Sequence, residues 1–177
     1  QMNFGATEKI FEVIERKFNI SIAKKQTLVN PITFEPDLQP CPYPAFTNEG
    51  IFWVMLAELD TARKAQDILI QVLSSLKWKN RNWQLHLYGK GKDKEMLEKL
   101  IQASGLENKV FLQGFTSNIK QTLQNCHLLL QCTRIDAMPL SVVEAMAMAR
   151  PCVVSTVGDM PVWIEDGVHG FVCRDVT

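Results

Sequence analysis

Short apolar runs recur along this chain, and they are separated by stretches in which apolar residues return every three or four positions. The runs cover residues 51–57, 83–88, 110–113, 126–131, 152–155 and 170–173. Short continuous apolar runs are typical of strands that are buried on both faces of a parallel sheet. We therefore predict a strand at each of them.

Helical stripes lie between most of these runs. They comprise Ile68, Val72 and Leu76 after Asp67; Leu97, Leu100 and Ile101 after Asp93; and Ile119 and Leu123 after Ser117, which is predicted to be an N-cap. Alternating strands and helices imply right-handed crossovers. The predicted fold class is α/β, with a Rossmann-like doubly wound parallel sheet that binds ligands at the carboxyl ends of its strands.

The part of the chain before this sheet has a different pattern. Residues 6–18 carry Ile10, Ile14 and Phe18 at helical spacing, and residues 30–48 hold five of the eight prolines. The first stretch predicts a helix, and the second predicts a linker. No internal repeat or low-complexity segment is found in the sequence.

Composition indicates one globular α/β domain. The 177 residues are 46% hydrophobic and 21% charged, and 19 basic residues balance 19 acidic ones, which argues against a nucleic-acid partner or a polybasic membrane arm. The sequence has neither an apolar run of membrane-spanning length nor the order of a signal peptide at its start. Its five cysteines form no Cys-x-x-Cys pair, so we expect buried free thiols and a cytoplasmic location.

The string from Arg134 to Ser155 is the most informative part of the sequence. Pro139 suits the first position of a helix, which leaves the N–H groups of Leu140, Ser141 and Val142 without intrahelical partners. Such donors, at the positive end of the helix dipole, bind phosphate. Asp136 on the preceding loop and Glu144 further along the helix could then accept hydrogen bonds from sugar hydroxyls.

This string resembles the donor-binding signature of retaining family-4 glycosyltransferases, which have the GT-B fold. The signature has two Glu separated by seven residues, and Asp136 and Glu144 match these positions. The resemblance covers roughly residues 48–177. Its other landmarks are the segments 88–91, 111–115, 158–161 and 166–172.

The resemblance implies the donor-binding half of such an enzyme, with residues 1–48 as a remnant of the inter-domain region and 49–177 as a nucleotide-sugar-binding domain truncated at its C-terminus. It implies that Glu144 holds the ribose hydroxyls, Asp136 the transferred sugar and Lys64 the diphosphate, assisted by the amides of 140–142. Backbone at 113–115, including Gly114 and Phe115, would meet the base.

The implied activity is sugar transfer with retention from a nucleotide diphosphate sugar, of hexosyltransferase type, in polysaccharide biosynthesis. The partners would be that donor and a glycan or lipid-linked acceptor, the latter through the missing N-terminal domain. A membrane surface would matter only for the full-length protein, and this chain alone is expected to be inactive. A non-catalytic nucleotide-binding or regulatory module and a GT-B sugar-nucleotide epimerase are the alternatives.

A second phosphate-binding candidate is the segment from Tyr88 to Lys92. Gly89 and Gly91 would let the backbone approach a ligand, although the third glycine of a dinucleotide fingerprint is absent. The resemblance places this loop beside the nucleotide and makes Lys90 and Lys92 candidate ligands. The alternative is a tight strand-to-helix turn with solvated lysines.

The segment 56–67 departs from the family pattern. Relatives have an Arg where this chain has Glu58, whereas Lys64 matches a second basic position. A carboxylate near a diphosphate would repel it. Either Glu58 points away from the site, Arg63 replaces the missing cation, or donor binding is weak; a solvated surface charge beside Arg63 is the structural alternative.

We expect no metal and no cofactor, because no Asp-x-Asp motif is present and the helix dipole and lysine can neutralise a diphosphate. His86 is predicted to be packed on a strand, while His127 opens a strand and His169 lies in a turn. Trp53 and Trp163 are predicted to be core or domain-contact residues.

Overall fold

The computed structural model describes residues 2–5, 7–28, 30–37 and 39–174. Residues 175–177 of the predicted donor domain, and Val29 and Leu38 of the region before it, lie outside the described residues. The strands are β1 (Asn3–Gly5), β2 (Lys25–Thr27), β3 (Ile51–Leu56), β4 (Trp83–Tyr88), β5 (Val110–Gly114), β6 (Leu128–Gln131), β7 (Cys152–Ser155) and β8 (Gly170–Cys173). The helices are α1 (Glu8–Phe18), α2 (Thr61–Lys64), α3 (Gln66–Leu73), α4 (Leu76–Lys79), α5 (Lys94–Ala103), α6 (Ile119–Gln124), α7 (Leu140–Ala147) and α8 (Met160–Trp163).

The six predicted strands form one parallel sheet in the order β5-β4-β3-β6-β7-β8. The chain starts in the middle at β3, moves outward to β5, and returns to β6 before moving outward on the other side. This is the strand order of a doubly wound sheet, so the fold prediction is confirmed. The direction reverses between β3 and β6, where such sheets bind ligands.

Alternate residues of the central strands enter two cores, one on each face of the sheet. Trp53 and Met55 join the core beneath α3 and α5, whereas Val54 joins the core beneath α6 and α7. Burial on both faces explains why these strands are almost continuously apolar. Strand β6 begins at Leu128, two residues later than predicted, because the Cys126 N–H still bonds the Leu123 carbonyl after α6.

Helix α3 turns a different face to the core than the sequence pattern predicted. The buried residues are Leu69, Ile70 and Leu73, whereas Val72 is 52% exposed. Leu76, the last residue of the predicted stripe, is also exposed at the start of α4. The segment is apolar on more than one face, so two stripes fit the helical period, and packing against α5 and the sheet selects one.

Two other helices correct details of the prediction. The N-cap of α6 is Asn118, not Ser117, because the Asn118 side chain accepts a hydrogen bond from the Gln121 N–H. In α1 the buried residue is Phe11, and Phe18 is exposed at the helix end. The stripe in α5 is confirmed, with Leu97 and Ile101 buried and Leu100 packed beside them.

The proline-rich segment 30–48 has no helix or regular strand in its described part, but it is fastened to the sheet domain. Phe34 and Cys41 pack against the core beneath α7. The buried Arg150 guanidinium donates to the Pro42 carbonyl at 2.7 Å and to the Cys41 carbonyl at 3.3 Å. The predicted domain boundary at residue 48 stays a prediction.

Burial governs the chemistry of the cysteines. All five are free, and burial raises the pKa of the Cys126, Cys132 and Cys152 thiols to about 12. Each is therefore protonated at neutral pH and a poor nucleophile. None of the helices in the described ranges is long and apolar enough to cross a bilayer.

Candidate functional site

A cavity of about 880 Å³ opens where the sheet reverses direction, at the carboxyl ends of β3, β4 and β6. Its lining brings together most of the predicted site residues: Lys64, Gly89, Phe115, Asp136, Pro139, Leu140, Ser141 and Glu144. Gly91, Lys92, Gly114 and Val142 are predicted site residues that do not line it. The charged lining residues are three acids and three bases: Glu58, Asp136, Glu144, Arg63, Lys64 and Lys90.

The amino terminus of α7 forms one wall of this cavity. Pro139 is the N-cap and not the first helical residue, with an extended ψ of 114°. The Val142 N–H donates to the Pro139 carbonyl at 3.1 Å, and Val142 is buried in the core, so this predicted phosphate donor already has an acceptor within the helix turn. Within the described part of the chain, the N–H groups of Leu140 and Ser141 have no hydrogen-bond acceptor. Two amides at the positive end of an eight-residue helix therefore face the cavity.

Lys64 and Asp136 form an ion pair inside the cavity. The Lys64 Nζ lies 2.5 Å from the Asp136 Oδ2, and the two side chains are only 16% and 13% exposed. Asp136 also accepts a hydrogen bond from the Ala137 N–H at 3.0 Å through its other oxygen. These contacts hold a basic and an acidic group, 72 residues apart in sequence, at the same point of the cavity.

Backbone bonds between α2 and the loop after β6 keep this pair in register. The N–H groups of Arg134 and Ile135 both donate to the Arg63 carbonyl, at 2.8 and 3.1 Å. The Arg134 guanidinium bonds both carboxylate oxygens of Asp67, at 2.7 and 2.9 Å, and lowers the pKa of Asp67 through these bonds. The loop that carries Asp136 is thus tied to α2, which ends at Lys64, and to α3, which follows it.

Glu144 is a buried carboxylate with 3% of its surface exposed, on the second turn of α7. Its Oε1 accepts two hydrogen bonds from Thr33, one from the backbone N–H at 3.1 Å and one from the hydroxyl. Thr33 lines the cavity but was not identified in the sequence, because the segment around it has no periodic pattern.

Glu58 lines the cavity and is paired with Arg63. Its carboxylate contacts the Arg63 guanidinium, whose Nε also donates to the Asp60 Oδ2 at 2.9 Å. The hydrogen bond that Arg63 donates to Asp60, followed by the one that it donates to Glu58, raises the pKa of Arg63. The bond from Arg63 lowers the pKa of Asp60. Glu58 and Arg63 therefore both lie at the cavity as a pair, and whether Arg63 replaces the missing cation stays a prediction.

The glycines after β4 are required by the packing of two loops. A Cβ atom on Gly89 would lie 1.9 Å from the Ala57 carbonyl oxygen, and one on Gly91 would lie 2.2 Å from that of Leu59. The Leu59 N–H also donates to the Lys90 carbonyl at 3.0 Å. A tight turn therefore accounts for Gly91, whereas Gly89 both packs and lines the cavity.

The two lysines of this loop have different positions. Lys90 lines the cavity and its Nζ lies 5.8 Å from the ring centroid of Phe115. Lys92 points instead to Asp60, with its Nζ 3.5 Å from the Oδ1. Phe115 is 69% exposed and forms the far end of the cavity, after a positive φ of 74° at Gly114.

The histidines lie elsewhere. The half-buried His86 ring packs against Phe52 and Phe111, and burial lowers its pKa. The His127 Nδ1 accepts a hydrogen bond from the Phe52 N–H at 3.0 Å, in a buried position. Trp53 is a core residue stacked on Trp83. Over the ranges that the structure describes, no three His, Cys, Asp or Glu side chains form a group that could hold a metal ion.

Known proteins resemble this chain in sequence. The family model described as Glycosyl transferases group 1 matches residues 45–176. The poly(ribitol-phosphate) alpha-N-acetylglucosaminyltransferase of Staphylococcus aureus (strain COL) is 32% identical over 113 residues, which are 63% of this chain and 23% of that protein. The chain spans roughly a quarter of the length of this relative and of other curated relatives that it matches.

Solved structures resemble it in fold. The S. aureus protein TarM, as a mutant in complex with fondaparinux, alpha-GlcNAc-glycerol and UDP, superposes with a TM-score of 0.78 at 25% identity over 97% of this chain and 33% of that one. Anabaena HepE in complex with UDP-glucose gives a TM-score of 0.63 at 27% identity over 70% of this chain and 34% of that one. The sheet matches the GT-B glycosyltransferase domains in its strand arrangement. Because the family model covers most of the described sheet and its cavity, the chain belongs to the glycosyl transferases group 1 family.

Proposed function

We propose that this chain is the donor-binding domain of a retaining glycosyltransferase of the family-4 type, which binds a nucleotide diphosphate sugar. The observation that carries the proposal is the grouping of Lys64, Asp136, Glu144 and the α7 amides in one cavity at the reversal point of the sheet. Anions favour a helix amino terminus and a lysine together, and doubly wound sheets bind nucleotides at this place.

Each group has a proposed role. The Lys64 ammonium and the amides of Leu140 and Ser141 bind the diphosphate, so its charge is neutralised without a metal ion or a cofactor. Glu144 accepts hydrogen bonds from the ribose hydroxyls, and Asp136 accepts them from the transferred sugar. Gly89 and Phe115 lie towards the base. The enzyme would then work by stabilising the charge of the departing diphosphate.

UDP is the nucleotide that the comparisons favour, because TarM and HepE were solved with UDP or UDP-glucose. The acceptor is proposed to be a glycan or a lipid-linked glycan, as in polysaccharide synthesis, and to be bound by another domain of the full-length protein. The active site of this fold lies between two domains, so the chain alone is expected to bind donor without hexosyl transfer. A location in the cytoplasm is part of the same proposal.

The proposal is tested by calorimetric titration of this chain with UDP, GDP and ADP. Lys64→Met and Asp136→Asn both break the ion pair, but only the first removes the cation. Lys64→Met should weaken UDP binding by about 1.5–3 kcal/mol, the scale of hydrogen bonds to charged groups, and Asp136→Asn should not weaken it. Uridine, which has no phosphate, should bind both variants like the parent chain.

The same titration addresses the alternatives. Absence of binding to all three nucleotides would overturn the donor-binding proposal. The acidic Glu58 in the cavity lining would then favour a non-catalytic regulatory module that binds no nucleotide. A sugar-nucleotide epimerase is excluded or supported by product analysis of the full-length protein, because an epimerase releases no glycoside.

A further inference from the structure

Thr33, which lies outside the sheet, contacts Glu144, the residue that is proposed to bind the ribose. It lies upstream of residues 45–176, which the family model matches, yet it lines the same cavity as Glu144. Both its N–H and its hydroxyl donate to a single oxygen of Glu144, the Oε1. Two residues separated by 111 positions are thereby joined at the ribose end of the site.

These two bonds leave the carboxylate asymmetric. No described residue donates a hydrogen bond to the Glu144 Oε2, although the residue as a whole is only 3% exposed. That oxygen is also not one of the fully enclosed unpaired atoms among the described side chains. The Oε2 is therefore the oxygen available to a ligand in the cavity, and Thr33 determines which way it faces.

The position of Thr33 is itself fixed by the domain. Phe34, the next residue, packs against the core beneath α7. Further along the segment, Asp37 accepts a bond from the Lys120 Nζ at 2.8 Å, and Arg150 holds the carbonyl of Pro42. The segment is thus held to the domain at three places, and these contacts fix Thr33 beside Glu144.

We propose that Thr33 is a positioning residue that orients the Glu144 carboxylate towards the ribose hydroxyls, so that the proline-rich segment completes the donor site. This inference rests on the proposed function, because it assigns the ribose to Glu144. A carboxylate held by two donors keeps one orientation and loses less rotational freedom when ligand binds. The segment before the sheet thus takes part in binding, and is more than a connection.

The test compares UDP with 2′,3′-dideoxy-UDP, which lacks both ribose hydroxyls, by calorimetry on this chain. Thr33→Val removes the donor hydroxyl at nearly constant volume, and Thr33→Ser retains it. Thr47→Val is the matched control, since Thr47 lies in the same segment and does not line the cavity. We expect Thr33→Val to raise the Kd of UDP about tenfold, with Thr33→Ser and Thr47→Val close to the parent.

The dideoxy analogue separates the possible failures. It should bind the parent chain and Thr33→Val equally, because it has no hydroxyl for Glu144. If Thr33→Val weakens both ligands equally, or neither, the positioning role is wrong while nucleotide binding stands. If the parent chain binds no nucleoside diphosphate at all, the proposed function fails and this inference fails with it.

A measurement on the unsubstituted chain covers the case in which Thr33→Val does not fold. Hydrogen exchange of residues 30–37 should slow when UDP binds, because the Thr33 N–H donates to the oxygen beside the bound ribose. The dideoxy analogue should slow it less. Equal protection by the two ligands would contradict the proposal.

Discussion

Two of the three basic side chains that line the cavity, Lys64 and Arg63, form ion pairs with neighbouring carboxylates. Lys64 bonds Asp136, and Arg63 bonds Glu58 and Asp60. With three acids and three bases in the lining, the formal charge of the cavity sums to zero. If the proposed function is correct, a diphosphate competes with these carboxylates for Lys64 and Arg63, and the exposed Glu58 is the competitor that a substitution can remove with least damage to the fold.

Glu58→Gln should release Arg63 towards the diphosphate and tighten UDP binding. The Glu58 and Arg63 side chains are 54% and 44% exposed, so solvent screens their charges, and the gain should be small at low ionic strength and smaller still at high ionic strength. Binding of uridine should not change. Calorimetry at two salt concentrations measures the affinity for UDP at low salt, the affinity for UDP at high salt and the affinity for uridine.

The matched control is Glu98→Gln, which removes the same charge from a pair with Lys94 on α5, away from the cavity. An equal gain in that variant would assign the effect to net charge. No gain from Glu58→Gln would mean that Arg63 does not act on the diphosphate.

At the residue scale, sequence reasoning found the groups that belong to a contiguous motif. Asp136, Pro139, Leu140, Ser141 and Glu144 come from one string, and all of them line the cavity. Thr33 was missed because its contact with Glu144 depends on how a segment without periodicity packs on the domain. The roles assigned to these residues remain proposals.

Loops at the carboxyl ends of the strands, more than the strands themselves, determine the shape of the cavity. The loop after β3 and the loop after β4 contact one another at Gly89 and Gly91, and α2 is tied to the loop after β6 through Arg134. Both arrangements depend on short-range sterics or on paired charges. Each can be tested by the stability of a single variant.

Gly89→Ala should destabilise the fold, because its Cβ would meet the Ala57 carbonyl oxygen at 1.9 Å. Backbone must move to relieve the clash, so we expect a loss of more than about 2 kcal/mol in the free energy of unfolding by urea. Gly114→Ala is the control, since it has a positive φ of 74° but no atom within 4 Å of the added Cβ. It should cost only about 1 kcal/mol, and equal losses in the two variants would show that backbone conformation, not loop contact, requires Gly89.

Asp67→Asn should weaken the tie between α3 and the loop that carries Asp136. Bonds from Arg134 lower the pKa of Asp67 below its ordinary 3.8, so the pair stabilises the fold above that pH and the contribution is lost as pH falls through the lower folded pKa. We expect the parent chain to exceed Asp67→Asn by about 1 kcal/mol in unfolding free energy at neutral pH.

That difference should be constant above about pH 5 and should narrow as the pH falls from about 5 towards about 1, because Asp67 is protonated in the unfolded chain near pH 3.8 and in the folded chain only at lower pH. Urea unfolding of both proteins across this pH range measures the free energy of unfolding at each pH. Glu98→Gln, at an exposed pair within α5, should differ little from the parent throughout. A gap between parent and Asp67→Asn that is constant with pH would contradict the role of the charge.

At the element scale, the six strands of the sheet were predictable because burial on both faces leaves continuous apolar runs. Strands β1 and β2 were not predicted, since they are three residues long and the residues of Lys25–Thr27 are polar and exposed. The buried face of α3 could not be selected from sequence because two apolar stripes fit the same period. Tertiary packing supplied the missing information in both cases.

At the scale of the whole molecule, the strand order of the sheet brings the residues of the candidate site together. The reversal between β3 and β6 brings α2, the loop after β4 and the start of α7 around one opening. A second cavity of about 370 Å³, lined by Phe52, His86 and Asn125 among others, opens at another place on the sheet. The second cavity is therefore the alternative nucleotide site within the same molecule.

The most direct measurement is a titration of the isotopically labelled chain with UDP, followed by the shifts of its backbone amide resonances. Our account predicts that the largest changes fall at Lys64, Asp136, Leu140, Ser141 and Glu144, around the cavity at the reversal point. It also predicts that inorganic phosphate moves the amides of Leu140 and Ser141 but not that of Glu144. Largest changes around His86 and Asn125, with the α7 amides unmoved, would contradict it.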